Sequence, residues 1–483
     1  MGLFGILLGL GVLIWLSFRG WSILVLAPAA ALIAALAAGE PLLAHWTQTF
    51  MGSASGFLAQ FFPLFLLGAV FGKLMDDSGS VATIARFMTE RLGARRAMLA
   101  VVLAGALVTY GGVSLFVAFF VIGPMAQALF RAADIPSRLM PAAIALGTST
   151  FTMSALPGTP AIQNAIPMPF FGTTPFAAPG LGIIAALIML GFGLWWLARA
   201  EAAARRAGEG FGESAVDPDA AAEDPMVRER ATTAAAFDPV EVHRGQHSPQ
   251  GPTVMVAVLP LVVVILVNLA MSMLVLPAID TGFLAEARWG GIPLSAVSGV
   301  WSVIVALVSA ILVLVAFNYR RLPALRDTVD AGANASALPV LSVASLVGFG
   351  AVVAAMPAFE AVRDWVLGIE GGPLVSLAVS TNLLAALTGS ASGGMTIALE
   401  ALGATFMQIS AETGLDPALM HRVAVIGSGT LDSLPHNGAV VTLLAVCGCT
   451  HRKSYFDIVM VGIVGALIAL VAVIVLGSMF GSF

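Results

Sequence analysis

Apolar residues in this chain come in long unbroken blocks, not in the alternation of a surface strand or the one-sided stripe of a surface helix. Blocks near 2–18, 21–39, 56–74, 178–198, 254–276, 296–318, 337–356 and 455–478 match the roughly 20 predominantly apolar residues that a helix needs to cross hydrocarbon. The breaks between them are short and polar or rich in Gly and Pro. A transmembrane β-barrel would show alternating segments of about 10 residues instead, and none occur. The pattern predicts an all-α, multi-pass integral membrane protein surrounded by a lipid bilayer. No basic residue precedes the first block and Arg19 follows it, the reverse of a secretory signal, so this block is read as a retained first helix.

One long hydrophilic stretch interrupts the blocks. It divides the chain into a first membrane repeat at 1–198, a flexible cytoplasmic linker at 199–252 and a second membrane repeat at 253–483. The two membrane parts resemble each other. Phe71-Gly72 recurs as Phe349-Gly350, Gly111 and Ser114 as Gly389 and Ser392, and Leu156-Pro157 as Leu434-Pro435, each time 278 residues further on. Between them, LMPAAIALGTST at 139–150 resembles LMHRVAVIGSGT at 419–430. Matches that keep one order and one offset indicate a duplicated unit.

Composition and charge then orient the two units. The chain is 59% hydrophobic and 10% charged, with a mean hydropathy of +0.97, so the few Lys and Arg residues carry the topological information. Segment 73–96 holds Lys73, Arg86, Arg91, Arg95 and Arg96, whereas its counterpart 351–374 holds only Arg363, beside Glu360, Asp364 and Glu370. Basic loops stay in the cytoplasm, which makes the repeats inverted. Helices 97–109 and 115–130 both end at cytoplasmic arginines, so they form a re-entrant hairpin with its tip at 110–114. The second unit repeats the hairpin from outside, with its tip at 388–394.

Each unit also contains a broken crossing helix, TSTFTMSALPGTPAIQN at 148–164 and GSGTLDSLPHNGAVV at 427–441. Unwound backbone in hydrocarbon is costly unless it lines a cavity or meets partners, so four matched interruptions point to one shared site. Half-helices restarting at Leu115, Ala161, Met395 and Ala439 would offer N–H groups and positive dipole ends to a carboxylate. Freed carbonyls and hydroxyls suit Na⁺ or a protonated acid. The expected substrate-binding residues are Gly112, Ser114, Thr152, Ser154, Gly158, Thr159, Ser390, Ser392, Gly393, His436 and Asn437. Cation coupling falls to Ser114, Thr150, Ser392, Thr430 and Asp432. An intramembrane acid is a functional hypothesis by default, and Asp432 with His436 are the ionisable side chains of the breaks. Against these roles stand helix kinks for Gly and Pro, back-bonding for Ser and Thr, and a structural pair for Asp432 and His436. Glu400 reads as a helix-interface group, and Lys73, Asp76 and Asp77 as a helix anchor.

The six histidines and the Cys447-x-Cys449 pair show no metal-ligand spacing. No metal, cofactor, nucleic acid or catalytic constellation is expected, only Na⁺ or H⁺ as coupling ion and a small organic anion as cargo.

LGAVFGKLMDDSGSVATIA at 67–85, the hairpin and broken helix that follow, and GTLDSLPHNGAVVTLLAVCG at 429–448 resemble the gluconate permease family of the ion transporter superfamily. The resemblance implies a bacterial inner-membrane symporter of sugar acids or short hydroxy acids. It implies a homodimer with a scaffold and a moving transport domain, working by alternating access of the elevator type. Where sugar-acid members carry a His/Pro-rich first break, this chain has SALPGTPAIQN, and SLPHNGAVV is similar to the 3-hydroxybutyrate permease-like branch. The leading expectation is symport of a 3-hydroxybutyrate-like monocarboxylate. Gluconate or sugar-acid:H⁺ symport is the alternative, followed by cation/proton antiport and, last, an intramembrane enzyme.

Overall fold

The computed structural model describes residues 2–17, 19–212, 225–234 and 237–483. Helices account for the ordered elements throughout. In chain order they are α1 (Gly2–Ser17), α2 (Ile23–Ala38), α3 (Leu42–Asp77), α4 (Ser80–Leu92), α5 (Ala97–Tyr110), α6 (Leu115–Ala132), α7 (Met140–Thr148), α8 (Pro179–Arg206) and α9 (Pro225–Ala234). There follow α10 (Val254–Ala278), α11 (Ser298–Asn318), α12 (Leu325–Ala355), α13 (Phe359–Leu367), α14 (Pro373–Thr388), α15 (Ala391–Thr413), α16 (Pro417–Thr430), α17 (Gly438–Val446) and α18 (His451–Phe480).

Among the described residues, 7 helices are long and apolar enough to cross a membrane, or 8 if the pair α4–α5, bent by 102°, counts as one span. Helices α1, α2 and α14 are apolar but shorter. Their neighbours are matched across the two halves. The pair α1–α2 is echoed by α10–α11; α2 lies on α12 as α11 lies on α3; α5 lies on α7 as α14 lies on α16. The long helices α3 and α12 pack against each other at the centre.

Lipid offers apolar side chains no reason to prefer each other, so close backbone approach and hydrogen bonding hold such helices together. Gly394 is the clearest case: a Cβ there would lie 2.2 Å from the backbone nitrogen of Ala385. Its bare backbone lets the two arms of the second hairpin touch.

The stretch expected to be a flexible linker is in large part docked. Helix α8 carries on to Arg206, and α9 packs along α17. Residues 237–251 then lie against the ends of α3 and α12: Asp238 N–H donates to Ala335 O at 2.8 Å, and Ser248 N–H donates to Asp77 O at 2.8 Å. Polar residues here find partners on the membrane part, which a reading of composition alone does not reveal. The linker residues 213–224, 235 and 236 lie outside the described residues.

Candidate substrate and cation site

The first hairpin turns at Gly111–Ser114 as expected, and its tip meets the first break. Tyr110 Oη donates to Pro157 O at 2.8 Å, Thr109 Oγ1 donates to Thr152 Oγ1 at 3.2 Å, and Gly112, at φ +100°, lies so close that a Cβ would strike Pro160. Ser114 caps α6 by accepting from Phe116 N–H. Between tip, break and α3 is a cavity of about 80 Å³, lined by Gly68, Thr109, Gly112, Ser114, Thr148 and Gln163 among others. That is room for a few waters or a carboxylate.

The second hairpin and break are joined more tightly. Asp432 Oδ1 accepts from Ala391 N–H at 2.7 Å and from the Asn437 amide, which also donates to Gly389 O at 2.8 Å. His436 Nε2 donates to Ala386 O at 2.9 Å, on the first arm of the second hairpin. Here the restart falls at Ala391 and not at Met395, because Ser390 accepts from Gly393 N–H and caps the helix. Ser392 and Gly393 therefore belong to a helical turn. A second cavity, of about 20 Å³, is bordered by Thr388, Gly389, His436 and Gly438, enough for one water.

The four interruptions thus pair within each half and open into two cavities instead of one. The breaks meet across the halves where Gly429 approaches Ser154, whose Cβ lies 3.0 Å from the position of a Cβ on Gly429. Several expected ligands turn inward to their own backbone: Thr150 donates to Leu146 O, Ser154 to Thr150 O, Thr152 to Gly147 O, and Thr430 to Ile426 O. Their hydroxyl protons are committed to backbone carbonyls, and Thr152 Oγ1 also accepts from Thr109. Gly158 N–H donates to Pro175 O, its carbonyl accepts from Asn268 on α10, and Thr159 accepts from Ala161 N–H.

Two further groups escaped the reading of the sequence. Arg422 is fully buried, donating to Ala177 O at 2.7 Å and to Asn164 Oδ1 at 3.4 Å, and the adjacent His421 reaches Thr173 and Asn164. These bonds tie α16 to the segment after the first break. An arginine inside an apolar run was the available signal. The other is Asn268, fully buried with its Oδ1 unpartnered.

The anchor at the end of α3 is richer than expected. Lys73, fully buried, donates to Asp77 Oδ1 and to Val242 O, both at 2.7 Å, and Thr328 Oγ1 donates to Asp77 Oδ2 at 2.6 Å. His247 lies 3.0 Å from Asp76, so Asp76, Asp77 and His247 cluster within 4.8 Å. The Lys73 ammonium supplies the positive charge such a cluster needs. The Asp76 hydrogen bond raises the His247 pKa despite partial burial. Glu400, on α15, accepts from Ser53 on α3 at 3.2 Å, at the helix interface foreseen for it.

Hairpins meeting broken helices in a multi-span helical bundle define a membrane transporter. Comparison with known proteins gives the same class. A model of GntP family permeases matches residues 1–175. An uncharacterized transporter, YxjC, of Bacillus subtilis (strain 168) is 39% identical over 487 residues, covering 100% of both chains. The high-affinity gluconate transporter of Escherichia coli (strain K12) is 34% identical over 167 residues, 34% of this chain and 36% of that one. The chain belongs to the GntP permease family, and it is a multi-pass permease of the bacterial cell membrane.

Proposed function

We propose that this permease is a cation-coupled symporter importing a short hydroxy-monocarboxylate by alternating access, built on two inverted repeats. The observation that carries the reading is the buried Asp432, joined to the tip of the second hairpin through Ala391 and Asn437. Both bonds end on Oδ1, so Oδ2 is the oxygen offered to Na⁺ or a proton. A carboxylate at this depth is expensive unless it does something, and here it couples the break to the hairpin that has to move. The matched helix neighbours and the opposite charge of the corresponding loops support the inversion. In this reading the helix starts at Leu115 and Gly438 face the anion, α1–α3 and α10–α12 form the scaffold, and the chain works as a homodimer.

Gluconate is the second reading, favoured by the relative of that name over a third of the chain. Proteoliposome uptake of 3-hydroxybutyrate and of gluconate, with Na⁺ or a pH gradient, separates the two. Asp432→Asn is expected to abolish gradient-driven uptake while leaving the folded protein intact. Full uptake in that variant sinks the coupling role. One cation per monovalent anion makes the cycle electroneutral, whereas a second cation adds about 2.3 kcal/mol per 100 mV, so an imposed potential reads the stoichiometry.

A further inference from the structure

We infer that the two pseudo-equivalent cavities are divided by charge: the substrate carboxylate binds in the first, in the field of the buried Arg422, and the cation binds at Asp432 beside the second. The inference rests on the anion-symport reading above and deepens it. It assigns the anion to the helix start at Leu115 and not to the one at Gly438.

Arg422 is fully buried, yet no carboxylate among the described residues answers its charge. Nε and Nη2 donate to Ala177 O at 3.2 and 2.7 Å, and Nη1 donates to Asn164 Oδ1 at 3.4 Å. These acceptors are neutral. The ionisable groups within its electrostatic reach are His421 and Tyr110. Tyr110 Oη keeps its proton to donate to Pro157 O, and His421, which shares Asn164 Oδ1 with Arg422, adds no negative charge. A guanidinium stays protonated, and a lone charge inside a membrane bundle is costly enough to point to a use.

Its place in the fold supplies that use. A Cβ on Gly182 would lie 2.5 Å from Ala155 O and 3.3 Å from Arg422 Nε, so the bare backbone of α8 lets the guanidinium lie against the first break. Residues 160–163 of that break line the first cavity, and the next residue, Asn164, holds Arg422. Thr109 and Gly112, on either side of Tyr110, line the cavity too. No charged side chain lies on its wall, and in a low-dielectric interior a charge behind the wall acts across it. The positive start of α6 at Leu115 faces the same space. An anion there is favoured by both, and a cation is opposed by both.

The duplicated units differ at each of these charged positions. Arg422 aligns with Ala142 and Asp432 with Ser154, so the first unit contributes neither charge. Asp432 is fixed to the second hairpin tip through Ala391 and Asn437, whereas Arg422 crosses over to the first break. The volumes agree with the division: about 80 Å³ at the first cavity and about 20 Å³ at the second, room for a carboxylate in one and for a single water or small ion in the other.

The test uses the full chain, purified, with 3-hydroxybutyrate and gluconate as probes. Ligand-induced thermal stabilisation reads affinity, and proteoliposome uptake reads KM and kcat. Gln163→Glu preserves shape and puts a negative charge on the wall of the first cavity; assays at about pH 8 keep the new carboxyl ionised. It is expected to weaken the preferred probe at least about tenfold, the effect of a unit charge across roughly 10 Å of protein. Arg422→Gln is expected to do the same, chiefly in KM, and Arg422→Lys to recover most of the loss, which a merely structural residue would not show. Native affinity in Gln163→Glu overturns the inference whether or not the Arg422 variants fold. So does a folded Arg422→Gln protein that binds as the native chain does, or a folded Lys variant that binds no better than the Gln one. If neither probe stabilises the native chain, the symport reading falls as well; if the native chain responds and these variants respond equally, only the division by charge falls.

Discussion

His247 is the residue whose behaviour the structure makes most directly measurable. Its imidazole donates to Asp76, and that bond raises its pKa above the ordinary value near 6.5. A group with a raised folded pKa adds stability that is fully present below its unfolded pKa and is lost as pH rises through the folded one. Docking of residues 237–251 on α3 should therefore weaken as pH climbs through and above neutrality. Limited proteolysis of the native chain against pH checks this: cleavage within 237–251 is expected to speed up with rising pH, and His247→Gln to abolish the dependence. The Lys73–Asp77 pair beneath it is fully buried. In the sequence, Lys73, Asp76 and Asp77 were legible as an anchor, but not what they anchor. Their partners Val242, His247 and Thr328 lie 169 to 251 residues away.

At the scale of elements, the hairpins and broken helices were readable because Gly, Pro, Ser and Thr interrupt apolar runs at matched positions. Their fine geometry was not. Gly393 and Gly394 read as an unwound tip, since glycine weakens helices; packing overrides that tendency. The Ser390 cap starts α15 at Ala391, and Gly394 serves close contact with Ala385. Gly394→Ala should therefore destabilise the protein by about 1–3 kcal/mol, the cost of overpacking, although alanine is the better helix former. A lowered melting temperature of the purified variant is the expected result, and an unchanged or raised one would mean that the hairpin arms can part. The docked linker is the converse case. Its polarity separates it from the membrane blocks, while its folded partners follow only from contacts such as Asp238 with Arg228 and Ala335.

For the whole molecule, the proposed inversion of the repeats predicts opposite exposure of corresponding loops. Arg95, beside the first hairpin, and Asp364, beside the second, are both exposed. In a background lacking Cys447 and Cys449, Arg95→Cys should react with an impermeant maleimide only from the cytoplasmic side, and Asp364→Cys only from outside in intact cells. Labelling of both from one side would make the repeats parallel. What the sequence by itself determined is the membrane class, most of the apolar spans and the four interruptions. Hydrocarbon imposes these locally, through helix length and the cost of unpaired backbone. Only the tertiary structure decided that each tip pairs with the break of its own half, that Arg422 and Asn268 reach the first break, and that the linker docks on the ends of α3 and α12. Those contacts join polar groups far apart in the chain, and a polar residue's type says that it needs a partner without saying which.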